Sequence, residues 1–247
     1  MAFQTVFKRY EVKYMITKEQ KETILGVMEP HMESDKYGRS TIRNLYFDTD
    51  SYLLIRRSIE KPAYKEKLRV RCYDIADHDS TVFVELKKKY KHVVFKRRIS
   101  LPEADAMEWL GREHGCSKHT QISREIDYFL DYYGTLHPTV FLSYEREAYY
   151  ARDDSDFRVT FDENILCRTD DLSLCSEAYG TPILSEEMCL MEVKCSGGIP
   201  LWMTHILSAE HIYKTSFSKY GTAYRNIIFP SLYGENSYDL KETAYHA

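Results

Sequence analysis

The chain of 247 residues has no run of about 18 apolar residues, the length that a membrane-crossing helix needs. Its start, Met1-Ala2-Phe3-Gln4-Thr5, lacks the basic and apolar regions of a signal peptide, so a cytoplasmic location is expected. Six cysteines (Cys72, Cys116, Cys167, Cys175, Cys189, Cys195) form no CxxC pair and no His/Cys spacing of zinc type. They read as reduced, mostly buried thiols. No Gly-Lys-Ser/Thr follows Gly197-Gly198, which is therefore a turn and not a phosphate loop. No repeat and no linker is visible. Residues 1–230 are read as one domain, with a polar tail over 231–247. Surplus positive charge is missing as well. Lys and Arg number 34 against 38 Asp and Glu, and the net charge of −4 excludes a strongly basic, nonspecific nucleic-acid binder.

What the chain does have is local concentration of charge. Residues 65–98 hold eleven Lys or Arg and five Asp or Glu, so this segment is +6 and the remainder is −10. A basic site in an acidic protein points to focused anion binding. The segment also alternates. Lys67, Arg69 and Arg71 are separated by Leu68 and Val70; Glu85 and Lys87 flank Leu86; Lys96 and Arg98 follow on a return strand. Successive side chains of a strand point to opposite faces, so these cations share one face and the apolar residues the other. Lys88, Lys89 and Lys91 read as solvated charges near the hairpin turn, and His92 and His205 as surface or packing residues. Most of the 21 tyrosines are assigned to packing.

Elsewhere, strands are expected over 6–16 (Arg9, Glu11 and Lys13 on one face), 42–47, 140–149, 157–162 and 190–195. Thr17 with Gln20 is a capping box opening a helix whose stripe is Ile24, Leu25 and Met28. Further helices are expected over 52–59, 102–110, 119–133, 200–213 and 219–228. The fold class is α+β. Several antiparallel strands with charge on one face and apolar residues on the other suit an antiparallel β-barrel tunnel, with a charged lumen and helices packed outside.

The order of short motifs resembles a known family. Phe7-Lys8-Arg9-Tyr10-Glu11-Val12-Lys13-Tyr14, Tyr46-Phe47-Asp48-Thr49, Lys67-Leu68-Arg69-Val70-Arg71, Glu85-Leu86-Lys87, Lys96, Tyr144-Glu145-Arg146, Arg158 to Asp162, Met191-Glu192-Val193-Lys194 and Ser218-Lys219-Tyr220 run through nearly the whole chain. Together they are similar to the VTC domain, the catalytic domain of the vacuolar transporter chaperone polyphosphate polymerases, in the triphosphate tunnel metalloenzyme (CYTH-like) superfamily. The resemblance implies a polymerase that moves the terminal phosphate of ATP onto a growing polyphosphate chain, helped by Mn²⁺ or Mg²⁺. It implies Lys13, Arg69, Arg71, Lys87, Lys96, Arg146, Arg158, Lys194 and Lys219 as phosphate ligands. Of these Arg69, Arg71, Lys87, Lys96, Arg146 and Lys194 serve the reaction, and Glu192 is the metal ligand. The implied partners are ATP or another triphosphate and polyphosphate, with no nucleic acid.

The chain also departs from relatives. The SPX domain and membrane helices of fungal members do not fit here, so sensing and translocation would reside on membrane-associated partner chains. Tunnel triphosphatases show ExExK on the first strand and paired late glutamates, whereas this chain has Arg9-x-Glu11-x-Lys13 and Glu192-x-Lys194. Fewer carboxylates favour the polymerase branch. A metal-dependent triphosphatase and a noncatalytic polyphosphate-binding module remain the alternatives. Glu11 and Glu85 are expected to be ion-pair partners that orient tunnel cations.

Overall fold

The computed structural model describes residues 10–234 except 92 and 155. The expectations for residues 6–9, including Arg9, for His92 and for the tail beyond 234 lie outside the described residues. Eleven strands form one antiparallel sheet. They are β1 (Tyr10–Thr17), β2 (Met32–Ser34), β3 (Ser40–Asp48), β4 (Tyr64–Tyr73), β5 (Thr81–Tyr90), β6 (Val93–Pro102), β7 (His137–Ala151), β8 (Arg158–Arg168), β9 (Thr181–Pro182), β10 (Met188–Cys195) and β11 (Lys214–Thr215). The main path runs β11-β1-β10-β8-β7-β3-β4-β5-β6, with β2 on β7 and β9 on β8.

The helices are α1 (Lys18–Met28), α2 (Leu53–Ile59), α3 (Glu103–Leu110), α4 (Gln121–Tyr133), α5 (Leu201–Ala209), α6 (Lys219–Ala223) and α7 (Phe229–Tyr233). A π-helical turn over Tyr224–Ile228 joins the last two. Thr17 and Gln20 make the expected capping box on α1, and Thr120 with Ser123 makes a second one on α4. The expected helix over 200–213 stops at Ala209, because His211 takes a left-handed conformation (φ 54°) that a helix cannot continue through. Ser231, expected to begin a tail, lies inside α7.

The alternating pattern sorts the two faces as expected. Leu68, Val70, Val84 and Leu86 pack outward against Trp109 of α3 and Ile126, Phe129 and Leu130 of α4. Ile16, Val159, Phe161, Met191 and Val193 pack outward against Ile24 and Met28 of α1 and Met203 and Leu207 of α5. Each fully buried side chain of this size contributes about 1.5–3 kcal/mol, so the two outer layers hold the sheet in place.

The sheet is curled. Glu11 and Lys87 are six strand steps apart along the path, which in a flat sheet is roughly 29 Å. Yet Lys87 is the group that most strongly favours the charged form of Glu11. Only a sheet bent round on itself brings β1 opposite β5. The hydrogen-bonded ladder itself stays open between β6 and β11 among the described residues. The segment just before α6 links β1 to β4: Lys13 Nζ of β1 donates to the Phe217 carbonyl at 3.0 Å, and Lys67 Nζ of β4 donates to Ser218 Oγ at 3.0 Å.

The inner face is not charged throughout. Ile42, Tyr46, Val140, Leu142 and Leu190 pack with Ile55 of α2, with Tyr220 and Ala223 of α6 and with Ile228 of the π-helical turn. This apolar plug fills one part of the lumen. Asp48, fully buried, ties it to the sheet. Its carboxylate accepts from the backbone N–H groups of Thr49, Leu54 and Ile55 and from the Tyr220 hydroxyl. The Tyr220 oxygen also lies 3.1 Å from Thr139 Oγ1. That network sets the position of Ser218 and Lys219 at the tunnel wall.

Candidate functional site

Cross-strand register shows which side chains share the lumen. Lys13 stands opposite Glu192, which stands opposite Thr160; Glu11 stands opposite Lys194, which stands opposite Arg158; Arg146 stands opposite Asp162. On the far side Asn44 faces Arg71, Tyr46 faces Arg69, and Arg69 faces Glu85 and then Arg98. Lys67, Lys87 and Lys96 form a third row. Every phosphate ligand implied by the family resemblance therefore faces the tunnel. Lys87 and Arg158 are exposed, and Arg71 is buried (7% exposed).

Three carboxylates organise these cations. Asp162 (0% exposed) accepts both guanidinium forks of Arg146, at 2.6 and 2.7 Å, and also takes Lys219. Bidentate Arg–carboxylate pairs fix direction as well as charge. Glu85 (1% exposed) accepts from Arg69 at 2.7 and 2.9 Å, from Lys96 at 2.6 Å and from Arg98. Burial alone would raise its pKa, but Arg69, Arg71 and Lys96 overcome this and hold the carboxyl far below the usual range. Glu192 has Lys13 at 3.2 Å, Lys194 at 3.4 Å, Arg146 at 3.6 Å and Lys219 at 4.0 Å. Its burial cost is likewise outweighed, first by Lys219 and then by Lys13, Lys194 and Arg146, so it stays ionised. Glu11 lies 3.8 Å from Lys13. Glu85 and Glu11 thus act as ion-pair partners, as their positions suggested.

Neutral groups hold Arg71. Arg71 donates from Nε to Asn44 Oδ1 at 2.9 Å and from Nη2 to the Tyr144 hydroxyl at 3.0 Å. The Tyr46 hydroxyl accepts from Arg69 at 3.0 Å. Although burial opposes ionisation of Tyr144, the cations Arg71, Arg146 and Lys219 lower its pKa to about 8. A few tyrosines assigned to packing are therefore also wall ligands of the tunnel arginines.

Sequence reasoning did not single out Asp162, Asn44, Tyr144 or Tyr46 as site residues. Asp162 carried a usable signal, because it is the acidic residue ending an alternating strand that begins at Arg158. Its partners, 16 and 57 residues away, could not be read from spacing. Lys67 was visible in the alternating row but carried no assigned role.

Among the described residues, Glu192 offers a place suited to a divalent cation. Glu192 is ionised, and Thr160, directly opposite it in the ladder, has a buried hydroxyl oxygen with no hydrogen-bond partner. No group of three His, Cys, Asp or Glu side chains able to hold a metal occurs among the described residues. One carboxylate suits an octahedral Mg²⁺- or Mn²⁺-like ion only if substrate phosphates and waters complete the shell. The residues thus fit a metal that arrives with its anion.

All six cysteines are unpaired, and burial pushes Cys72, Cys167 and Cys189 up to about 12, which leaves them inert as nucleophiles. No helix among the described residues is long and apolar enough to cross a membrane.

Two solved structures share the fold. One, a candidate adenylate cyclase from Bacillus halodurans, is 17% identical with a TM-score of 0.51, covering 84% of this chain and 92% of its own. The other is a Hippeastrum protein described as an adenylyl cyclase that reveals a dominant triphosphatase activity. It is 14% identical with a TM-score of 0.52, covering 88% of this chain and 95% of its own. No curated protein matches by sequence. The family model of the VTC domain matches residues 8–228, and with its curled sheet and cation-lined lumen the chain belongs to the VTC domain family.

Proposed function

We propose that this protein is a polyphosphate polymerase that transfers the terminal phosphate of ATP to a growing polyphosphate chain inside the basic tunnel. The observation that carries this reading is the state of the buried carboxylates. Hydrolysis needs a base or acceptor to position water. Glu85 and Asp162 are instead saturated by cations, and Glu192 lies among four of them. A terminal phosphate oxygen of polyphosphate needs no such base. It attacks the γ-phosphorus, the bond from that phosphorus to the β-bridging oxygen breaks, ADP leaves, and the chain is one phosphate longer.

The residues supply positioning and charge neutralisation, which is most of what phosphoryl transfer asks of a protein. Arg69, Arg71 and Arg146 are held rigidly by Glu85, Asn44 with Tyr144, and Asp162, so they can take non-bridging oxygens without reorganising. Lys13, Lys194 and Lys219 surround Glu192, and Lys87, Lys96 and Arg158 extend the cationic track. Glu192 would hold Mn²⁺ or Mg²⁺ together with substrate oxygens, and the bound ion would neutralise charge developing on the transferred group. Reduced, mostly buried thiols suit a cytoplasmic enzyme, with any membrane passage of product left to partner chains.

A metal-dependent triphosphatase is the second reading. Glu11 favours it: this carboxylate is on the tunnel wall, its ion pair among the described residues is a long one, 3.8 Å to Lys13, and it is partly open to solvent. The Hippeastrum structure with a dominant triphosphatase activity has the same fold. Incubation of the pure protein with ATP and Mn²⁺, following ADP, free phosphate and long-chain polyphosphate on a gel, separates the two. ADP with polymer and little free phosphate is expected. ADP with equal free phosphate would replace the polymerase by the hydrolase. Tight polyphosphate binding without turnover would leave a binding module.

A further inference from the structure

Lys67 is the inner-face cation whose surroundings the sheet leaves least balanced. It stands directly opposite Lys87 across β4 and β5, and Lys87 stands directly opposite Lys96 across β5 and β6. Like charges directly opposite in a ladder destabilise it. Two of the three have compensation: Lys96 pairs with Glu85 at 2.6 Å, and Lys87 lies in the field of Glu11. Lys67 has no carboxylate partner among the described residues. Its one hydrogen bond goes to Ser218 Oγ at 3.0 Å. The charged groups that act on it most strongly are Lys65 and Arg69 from its own strand, Lys87 from β5 and Lys13 from β1, all cations, and the Ser218 hydroxyl just before α6 accepts its hydrogen bond.

Ser218 strengthens the case. Its oxygen accepts from Lys67 Nζ and from the Gly221 N–H, at 3.2 Å. Both lone pairs are used, and the hydroxyl hydrogen is left to donate. The ammonium and the hydroxyl therefore offer two donors side by side where the segment before α6 lies between β4 and β1.

We infer that Lys67, with Ser218, is a further phosphate-binding element of this tunnel. The inference rests on the triphosphate reading of the tunnel. Burial and the four neighbouring cations lower the pKa of Lys67 to about 7 in the ligand-free tunnel. Around pH 8 such an amine is mostly neutral, and a bound polyanion reverses the local field and recharges it. Anion affinity then falls as pH rises above 7, because each binding event must also capture a proton.

Calorimetric titration of inorganic tripolyphosphate into the full chain, in two buffers of different ionisation enthalpy near pH 8, counts the protons exchanged. Proton exchange by the ligand is common to all variants and cancels between them. Wild type is expected to take up close to one proton more per ligand than Lys67→Arg, whose side chain is permanently charged. Lys67→Met should bind about tenfold more weakly near pH 6, where the wild-type amine is already charged. Equal proton counts in wild type and Lys67→Arg, or full affinity in Lys67→Met, would overturn the inference while leaving the tunnel reading intact. Failure of wild type to bind tripolyphosphate at any pH would remove the tunnel reading, and the role of Lys67 with it.

Discussion

The two walls of the tunnel treat their charges differently. The wall built from β1, β10, β8 and β7 places Lys13, Arg146, Arg158, Lys194 and Lys219 among Glu11, Asp162 and Glu192, five cations against three carboxylates. The wall built from β4, β5 and β6 carries Lys67, Arg69, Arg71, Lys87, Lys96 and Arg98 and, among the described residues, one inward carboxylate of its own, Glu85. The first wall is largely neutralised by the protein itself. The second leaves much of its charge for an anion to neutralise. Rigid positioning and raw attraction are thus supplied by opposite sides of one lumen, and a phosphate chain between them meets both.

The sharpest way to break this contrast is to remove the buried anchor of the first wall. Asp162→Asn leaves Arg146 and Lys219 uncompensated in a site that is nearly dry, and should cost about 3–5 kcal/mol in urea denaturation. A loss under about 1 kcal/mol would mean that the first wall is not organised by its carboxylates. On the second wall, Arg71→Ala removes a cation positioned by Asn44 and Tyr144. It should lower turnover by about 10²-fold with circular dichroism unchanged.

Glu192→Gln tests the meeting point of positioning and attraction. Metal stimulation should be lost, while metal-free tripolyphosphate binding tightens several-fold, because one negative charge leaves a site holding four cations. An unchanged metal response would exclude Glu192 as the ligand. The smallest effect concerns acid. Glu85, Asp162 and Glu192 have folded-state pKa values depressed by their cations. Their contribution is full above the unfolded carboxylate pKa of about 4 and is lost as pH falls through the lower folded values. The urea midpoint should therefore hold down to about pH 4 and fall below it, and Glu85→Gln should flatten that fall.

Much of the site was legible. Period-two alternation put Lys67, Arg69 and Arg71 on one face, and the capping box at Thr17 marked the start of α1. Both signals are local, set by backbone geometry within a few residues. The end of α5 was not legible, since the left-handed turn at His211 carries no glycine to announce it. Nor was the apolar plug. Ile42, Leu142 and Leu190 read as ordinary strand residues, and only the packing of α2 and α6 shows that they point into the lumen.

By itself, the sequence determined which residues share a face and how densely cations are placed on it, because a strand's pleat is the same wherever the strand sits. Only the tertiary structure decided which of those cations are neutralised. Asp162 meets Lys219 across 57 residues, and Glu11 comes into the field of Lys87, six strand steps away, through the curl of the sheet. Electrostatic compensation depends on distance in space, and local pattern does not encode that distance.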